Sequence, residues 1–167
     1  MRRLANILFL VIFSLLCIAA QPLPDGWRTP TRKEANQDWR NDARHRYLEI
    51  NADFNGDGLI DKAMLLVEKK GHKMALFAFV SQSKSFKEYR LAVEDNVKWL
   101  DVMGIDVVKK GKHKTVCGKG YFECEPSYPN EINLKYEGIN YFRESSAQVY
   151  FYWNDKTKQF DHMQISD

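Results

Sequence analysis

The chain has 167 residues, 44% hydrophobic and 28% charged, with 9 Gly and 5 Pro. That length and composition fit one compact domain and exclude a disordered or fibrous chain. The formal net charge of +3 shrinks to +1 if residues 1–20 are removed, since they hold two of the 25 basic residues and none of the 22 acidic ones. Global charge therefore points to neither nucleic acid nor a membrane surface as a partner.

In chain order, Arg2 and Arg3 precede an apolar run from Ile7 to Ile18 that closes on Ala19 and Ala20. This is the order of a secretory signal peptide, expected over residues 1–20. The run is shorter than the roughly twenty residues that span a bilayer, so no transmembrane anchor is expected in the mature chain. Ser14-Leu15-Leu16-Cys17 offers a lipoprotein reading through Cys17, disfavoured by Leu16 where lipid-attachment boxes carry a small residue. The expected destination is the periplasm or the exterior.

Residues 21–30 hold Pro22, Pro24, Gly26 and Pro30 and read as an extended N-terminal arm, followed by a single domain over 31–167. Thr31 and Glu34 have capping-box spacing, and Ala35, Trp39, Ala43 and Tyr47 follow at intervals of four. The pattern predicts an amphipathic helix over 32–46 that carries Trp39 into the core. The period then changes to two: Leu48, Ile50, Ala52 and Phe54 alternate with polar residues. Strands are predicted at Lys62–Glu68 and Met74–Ser81, joined as a hairpin, and at Glu88–Val93, Leu100–Val108, His113–Cys117, Glu131–Tyr136, Ile139–Phe142, Ala147–Trp153 and Gln159–Ile165. Residues 154–158 connect the last two as a second hairpin. One helix followed by runs of strands predicts an α+β fold: the N-terminal helix packed on a largely antiparallel, meandering sheet.

The strongest motif is Asp53-Phe54-Asn55-Gly56-Asp57-Gly58-Leu59-Ile60-Asp61. Calcium is a hard cation that takes six to eight oxygens. Alternating oxygen-bearing residues can wrap such a cation: the side chains of Asp53, Asn55, Asp57 and Asp61, with the carbonyl of Leu59. Gly58 stands where such loops turn sharply. Three carboxylates repel one another without an ion, so Ca2+ is expected to stabilise the fold. The competing reading is a metal-free hairpin turn, since Asp, Asn and Gly favour turns on their own account.

A helix–loop–helix calcium site places Glu at the twelfth loop position, where this chain has Met64, and a strand-like Leu65-Leu66-Val67 follows. The loop thus resembles the strand–loop–strand, EF-hand-like calcium sites of FG-GAP and VCBS-type repeats. The resemblance implies the loop and not the propeller those repeats build, because the sequence holds one copy. The expected affinity is modest, a dissociation constant of about 10⁻⁴–10⁻³ M as in extracellular modules. The order of Asp25-Gly26-Trp27, the acidic loop and Cys117-Gly118-Lys119-Gly120-Tyr121-Phe122-Glu123-Cys124 before an aromatic hairpin resembles small exported bacterial proteins to which no activity is attached.

Cys117 and Cys124 are an even pair in a chain bound for an oxidising compartment, and a disulfide is expected. Free thiols, or half a metal site with His113, are the alternatives. Lys109, Lys110, Lys112, Lys114 and Lys119 form a basic stretch that leads into this loop. It reads either as a solvated hairpin turn around Gly111 or as a docking surface for an acidic protein partner, with Lys110, Lys112, Lys114 and Lys119 as cations and Tyr121 and Phe122 as aromatic anchors. The four histidines fall in no metal-binding spacing, and no catalytic triad, phosphate loop or zinc signature is visible. Two functions fit. One is an exported, non-enzymatic calcium-binding module such as an inhibitor or immunity protein; the other is a cell-envelope hydrolase acting on glycans or peptides.

Overall fold

A computed structural model describes residues 22–121 and 123–167. The expected leader, with Cys17 and the Ala19-Ala20 site, and the anchor Phe122 lie outside the described residues. Trp27–Arg28 forms β1, Glu49–Ala52 β2, Asp61–Glu68 β3, Met74–Gln82 β4 and Ser85–Glu94 β5. They build a five-stranded antiparallel sheet in which β1 and β2 both pair with β3, and β4 and β5 follow. Met103–Val108 (β6), Gly138–Arg143 (β9), Gln148–Asn154 (β10) and Gln159–Ser166 (β11) make a second sheet in the order β11-β10-β9-β6. Gly111–Lys114 (β7) and Glu131–Leu134 (β8) pair as a two-stranded ribbon.

The two sheets share one core. Ile50, Ala52, Ala63, Leu65, Leu76 and Ala78 from the first meet Met103, Ile105, Ile139, Tyr141 and Phe151 from the second. The alternation read at residues 48–54 is this inner face: Ile50, Ala52 and Phe54 are all buried. Trp27 and Leu23 of the N-terminal arm pack with Met64, Leu66, Phe77 and Phe79 on the other side of the first sheet. Both faces of β3 and β4 are thereby buried, which explains their nearly unbroken apolar runs. The ribbon caps the second sheet, where Ile132 and Leu134 meet Tyr150, Tyr152 and Ile165. Phe151 thus enters the shared core while Tyr150 and Tyr152 face the ribbon, so the aromatic strand is packed on both sides.

The expected α+β class is overturned: among the described residues no helix reaches seven residues, and the fold is mostly antiparallel sheet. The amphipathic helix over 32–46 does not form. Its capping box does, with Thr31 N–H donating to Glu34 Oε2 at 2.8 Å and Glu34 N–H to Thr31 Oγ1 at 3.3 Å. Propagation then fails, leaving turns and a five-residue 3₁₀ segment, Asp38–Asp42. Asn36, Asp38, Asn41 and Asp42 are weak helix formers that compete for local backbone groups. Arg46 and Tyr47 adopt positive φ, both 56°, which no helix accommodates. Arg40 replaces Trp39 as the residue carried inside. It is fully buried, stacks 4.2 Å from the Trp39 ring, and donates to the carbonyls of Arg46, Leu100 and Met103.

One strand and one turn are also corrected. Leu100–Val108 divides into a 3₁₀ turn, Val97–Asp101, capped by the Asn96 side chain, and β6. The basic stretch at 109–114 is no hairpin turn, because β6 and β7 belong to different sheets and Gly111, at φ 126°, is where the chain passes between them.

Candidate metal centre

The acidic loop is the connection of the β2–β3 hairpin, entered after Ala52 and closed at Asp61, its cross-strand partner. Gly56 and Gly58 turn it, at φ 74° and 85°. Its acids brace the backbone. Asp53 Oδ1 accepts from the N–H of Gly56 at 2.7 Å and of Asp57 at 3.2 Å, and Asp53 Oδ2 from Gly58 N–H at 2.9 Å. Asn55 Oδ1 accepts from Asp57 N–H, and Asp57 Oδ1 from Leu59 N–H. Asn55 Nδ2 donates to Asp57 Oδ2 at 2.9 Å.

Asp61 is fully buried and joins the loop to the sheet. Its Oδ2 accepts from Phe54 N–H at 2.9 Å and its Oδ1 from Ser81 N–H at 2.8 Å, while the Ser81 hydroxyl donates to the Ile60 carbonyl. Burial pushes its carboxyl up to about 6 against these two N–H bonds, and the nearby charges of Asp57 and Asp53 push the same way. That mutual repulsion is what a bound cation relieves.

The donor set of Asp53, Asn55, Asp57, the Leu59 carbonyl and Asp61 is all oxygen, which fits a hard divalent cation. The carboxylates face N–H groups of the loop and, for Asp61, of Ser81 in β4, and among the described residues no three His, Cys, Asp or Glu side chains gather around one centre. Asp53 Oδ1 already accepts two N–H bonds, whereas Asp53 Oδ2 and the oxygens of Asp57 and Asp61 accept one each and keep a second lone pair, so at those atoms a hydrogen bond and a cation are not mutually exclusive.

The loop is pressed onto a second element. Tyr136, between β8 and β9, lies so close to Gly56 that a Cβ there would sit 1.9 Å from its Cε1. The Tyr136 hydroxyl donates to Asp155 Oδ2 at 3.2 Å, and Lys135 Nζ lies 2.6 Å from the same oxygen and 4.8 Å from the Tyr136 ring centroid. These contacts hold the Lys135 ammonium above its ordinary range and the Asp155 carboxyl below its own. Asp53, Gly56, Lys109, Lys110, Lys135, Tyr136 and Glu137 together line an open groove of about 500 Å³. Three segments far apart in sequence thus meet at the acidic loop.

The residues proposed for docking are scattered by comparison. Lys110 faces the groove, whereas Lys112 and Lys114 project from the ribbon and Lys112 pairs with Glu131 at 3.0 Å. His113 points the other way, onto Tyr150. Lys119 lies 5.8 Å from the ring of Tyr121, which is 56% exposed. Cys117 and Cys124 form the expected disulfide, with Cα atoms 5.9 Å apart. Thr115 anchors its base, donating to the Pro129 carbonyl and accepting from Gly118 N–H. Tyr136, Lys135 and Asp155 are residues that pattern reading missed: no spacing in the sequence links residues 56, 136 and 155.

Comparison of the chain with protein-family models, curated proteins and solved structures returns no match. Among the described residues no helix is long and apolar enough to cross a membrane.

Proposed function

We propose that the protein is an exported, periplasmic or secreted calcium-binding module that acts by binding another protein, as an inhibitor or immunity protein does. The observation that carries this reading is the strand–loop–strand placement of Asp53, Asn55, Asp57, Leu59 and Asp61, an all-oxygen donor set whose acids repel one another. The disulfide supports an oxidising destination. The run of Lys110, Lys112, Lys114 and Lys119 toward Tyr121 and Phe122 in the sequence supports an acidic partner, with Lys110 on the groove side and Lys112 and Lys114 on the ribbon.

Thermal unfolding with calcium and with chelator tests the metal. With a dissociation constant of about 10⁻⁴–10⁻³ M, about 10 mM calcium stabilises by about 1.4–2.7 kcal/mol, a rise in Tm of about 3–11 °C. Asp57→Ala removes that response. Superimposable melting curves with calcium and with chelator overturn the reading.

The hydrolase reading draws on one observation, a groove of about 310 Å³ where Asp42, Asp106 and Glu144 stand with Trp39, Tyr47 and Phe142. Hydrolysis of a cell-wall glycan or peptide that is lost in Asp106→Asn and retained in Asp57→Ala would favour it.

A further inference from the structure

We propose that β5 is the docking edge for a second copy of this chain, which pairs with it antiparallel about a two-fold axis at Tyr89 and continues the first sheet across both copies. The interface needs no calcium and stands apart from the metal reading. β5 has ten residues, ends the first sheet and, among the described residues, is hydrogen-bonded on one side only, to β4. Its other side presents a row of backbone N–H and C=O groups, which an added antiparallel strand completes.

The register with β4 fixes which side chains such a strand would meet, because directly opposite residues project from the same face. Phe86, Glu88, Arg90 and Val93 lie opposite Ser81, Phe79, Phe77 and Ala75, and so stand on the outer face of the first sheet, the face that Trp27 covers. Tyr89 and Ala92, opposite Ala78 and Leu76, face the shared core. The ladder slips between Leu76 and Phe77, so Leu91 is the extra residue of a bulge, and this brings Arg90 and Val93 onto one face.

Charge then selects the partner and the register. Glu88 and Arg90 are exposed and carry no ion pair or side-chain hydrogen bond among the described residues. A two-fold centred on Tyr89 sets Glu88 opposite the partner's Arg90 and Arg90 opposite the partner's Glu88, so one sequence supplies both halves of two opposite-charge pairs. Centring the axis on Glu88 or on Arg90 sets like charges opposite instead. The bulge carries the match one pair further: the next outer-face residues are Phe86 and the partner's Val93, and these are the large apolar side chains that β5 leaves exposed, at 41% and 44%. Lysine is a common guard of edge strands, but Lys87 is turned to the other face and lies over the Tyr89 ring at 4.9 Å.

Sedimentation equilibrium of the full mature protein from about 1 μM to about 1 mM tests this. A monomer–dimer equilibrium is expected, and added salt should weaken it because the charge pairs are exposed. Arg90→Glu and Glu88→Arg should each weaken the dimer by about tenfold or more, since two attractive pairs become two repulsive ones. The double variant Glu88→Arg/Arg90→Glu should restore it, and so should mixing the two single variants. On the unaltered protein, the amides of β5 should gain hydrogen-exchange protection as concentration rises. A chain that stays monomeric over the whole range, a dimer that neither single variant weakens or that the double variant fails to restore, or concentration-dependent protection that bypasses β5 overturns the proposal.

Discussion

Gly56→Ala tests how the acidic loop is held. At φ 74° any L side chain is strained, at a cost of about 1–2 kcal/mol. The added Cβ would also stand 1.9, 2.4 and 2.6 Å from three carbons of the Tyr136 ring. The ring must move, giving up its hydroxyl bond to Asp155, and forced repacking of this kind costs about 1–3 kcal/mol more. The substitution should therefore destabilise by about 2–5 kcal/mol, read from urea unfolding in chelator at constant m. In a Tyr136→Ala background the clash disappears and only the backbone strain of about 1–2 kcal/mol is left, so the two substitutions should couple by about 1–3 kcal/mol. Gly58→Ala is the control. Gly58 has φ 85° and no atom within 4 Å of an added Cβ, so its cost should be the same with and without Tyr136. If Gly56→Ala costs the same in both backgrounds to within about 0.5 kcal/mol, the loop is not pressed on the ring and the groove wall is wrongly placed.

Two further expectations concern the segment that was expected to be helical. Arg40→Met removes a buried cation that burial already depresses to about 10, and it leaves the carbonyls of Arg46, Leu100 and Met103 without their donor. A loss of about 3–5 kcal/mol in denaturant unfolding is expected, and one under about 1 kcal/mol would mean that water replaces the guanidinium. Glu34 is held at about 2, below the ordinary 4.5, chiefly by the Arg28 guanidinium and then by the Thr31 N–H. A lowered carboxyl adds stability that is complete above pH 4.5 and is lost as the pH falls through that range toward 2. Since the pair is about one-third exposed, the loss should be at most about 1 kcal/mol, and Glu34→Gln should flatten the acid limb between these values; an unchanged limb refutes the assignment.

Strand pattern was legible where each strand's environment repeats along the chain. Leu48 to Phe54 alternate because β2 faces the core on one side, and the hairpins at 62–81 and 148–166 declare themselves through short polar connections. The capping box was legible too, and its hydrogen bonds form. What it could not announce is that carbonyls some sixty residues away would take the Arg40 guanidinium and draw the chain out of helical register. The acidic loop was visible because its donors are close in sequence. Its partner Tyr136 was not, because Gly56 and Tyr136 meet only once β8 and β9 are placed beside the first sheet.

The same placement decides what calcium can do for the whole molecule. At its C-terminal end the loop is tied to the first sheet, since Asp61 bonds β4 at Ser81 and closes on Phe54, whose buried ring meets Phe160 of β11 at 6.3 Å. At its tip it is tied to the second sheet through Tyr136 and Asp155. A cation that orders the loop therefore works against both sheets at once and not against a freely hinged turn. Stabilisation by calcium should appear as a shift of the single global transition, with the core amides of β3 and β10 gaining hydrogen-exchange protection by the same free energy as the loop. Protection that rises in the loop and stays constant in β10 would show that the tie through Tyr136 transmits nothing.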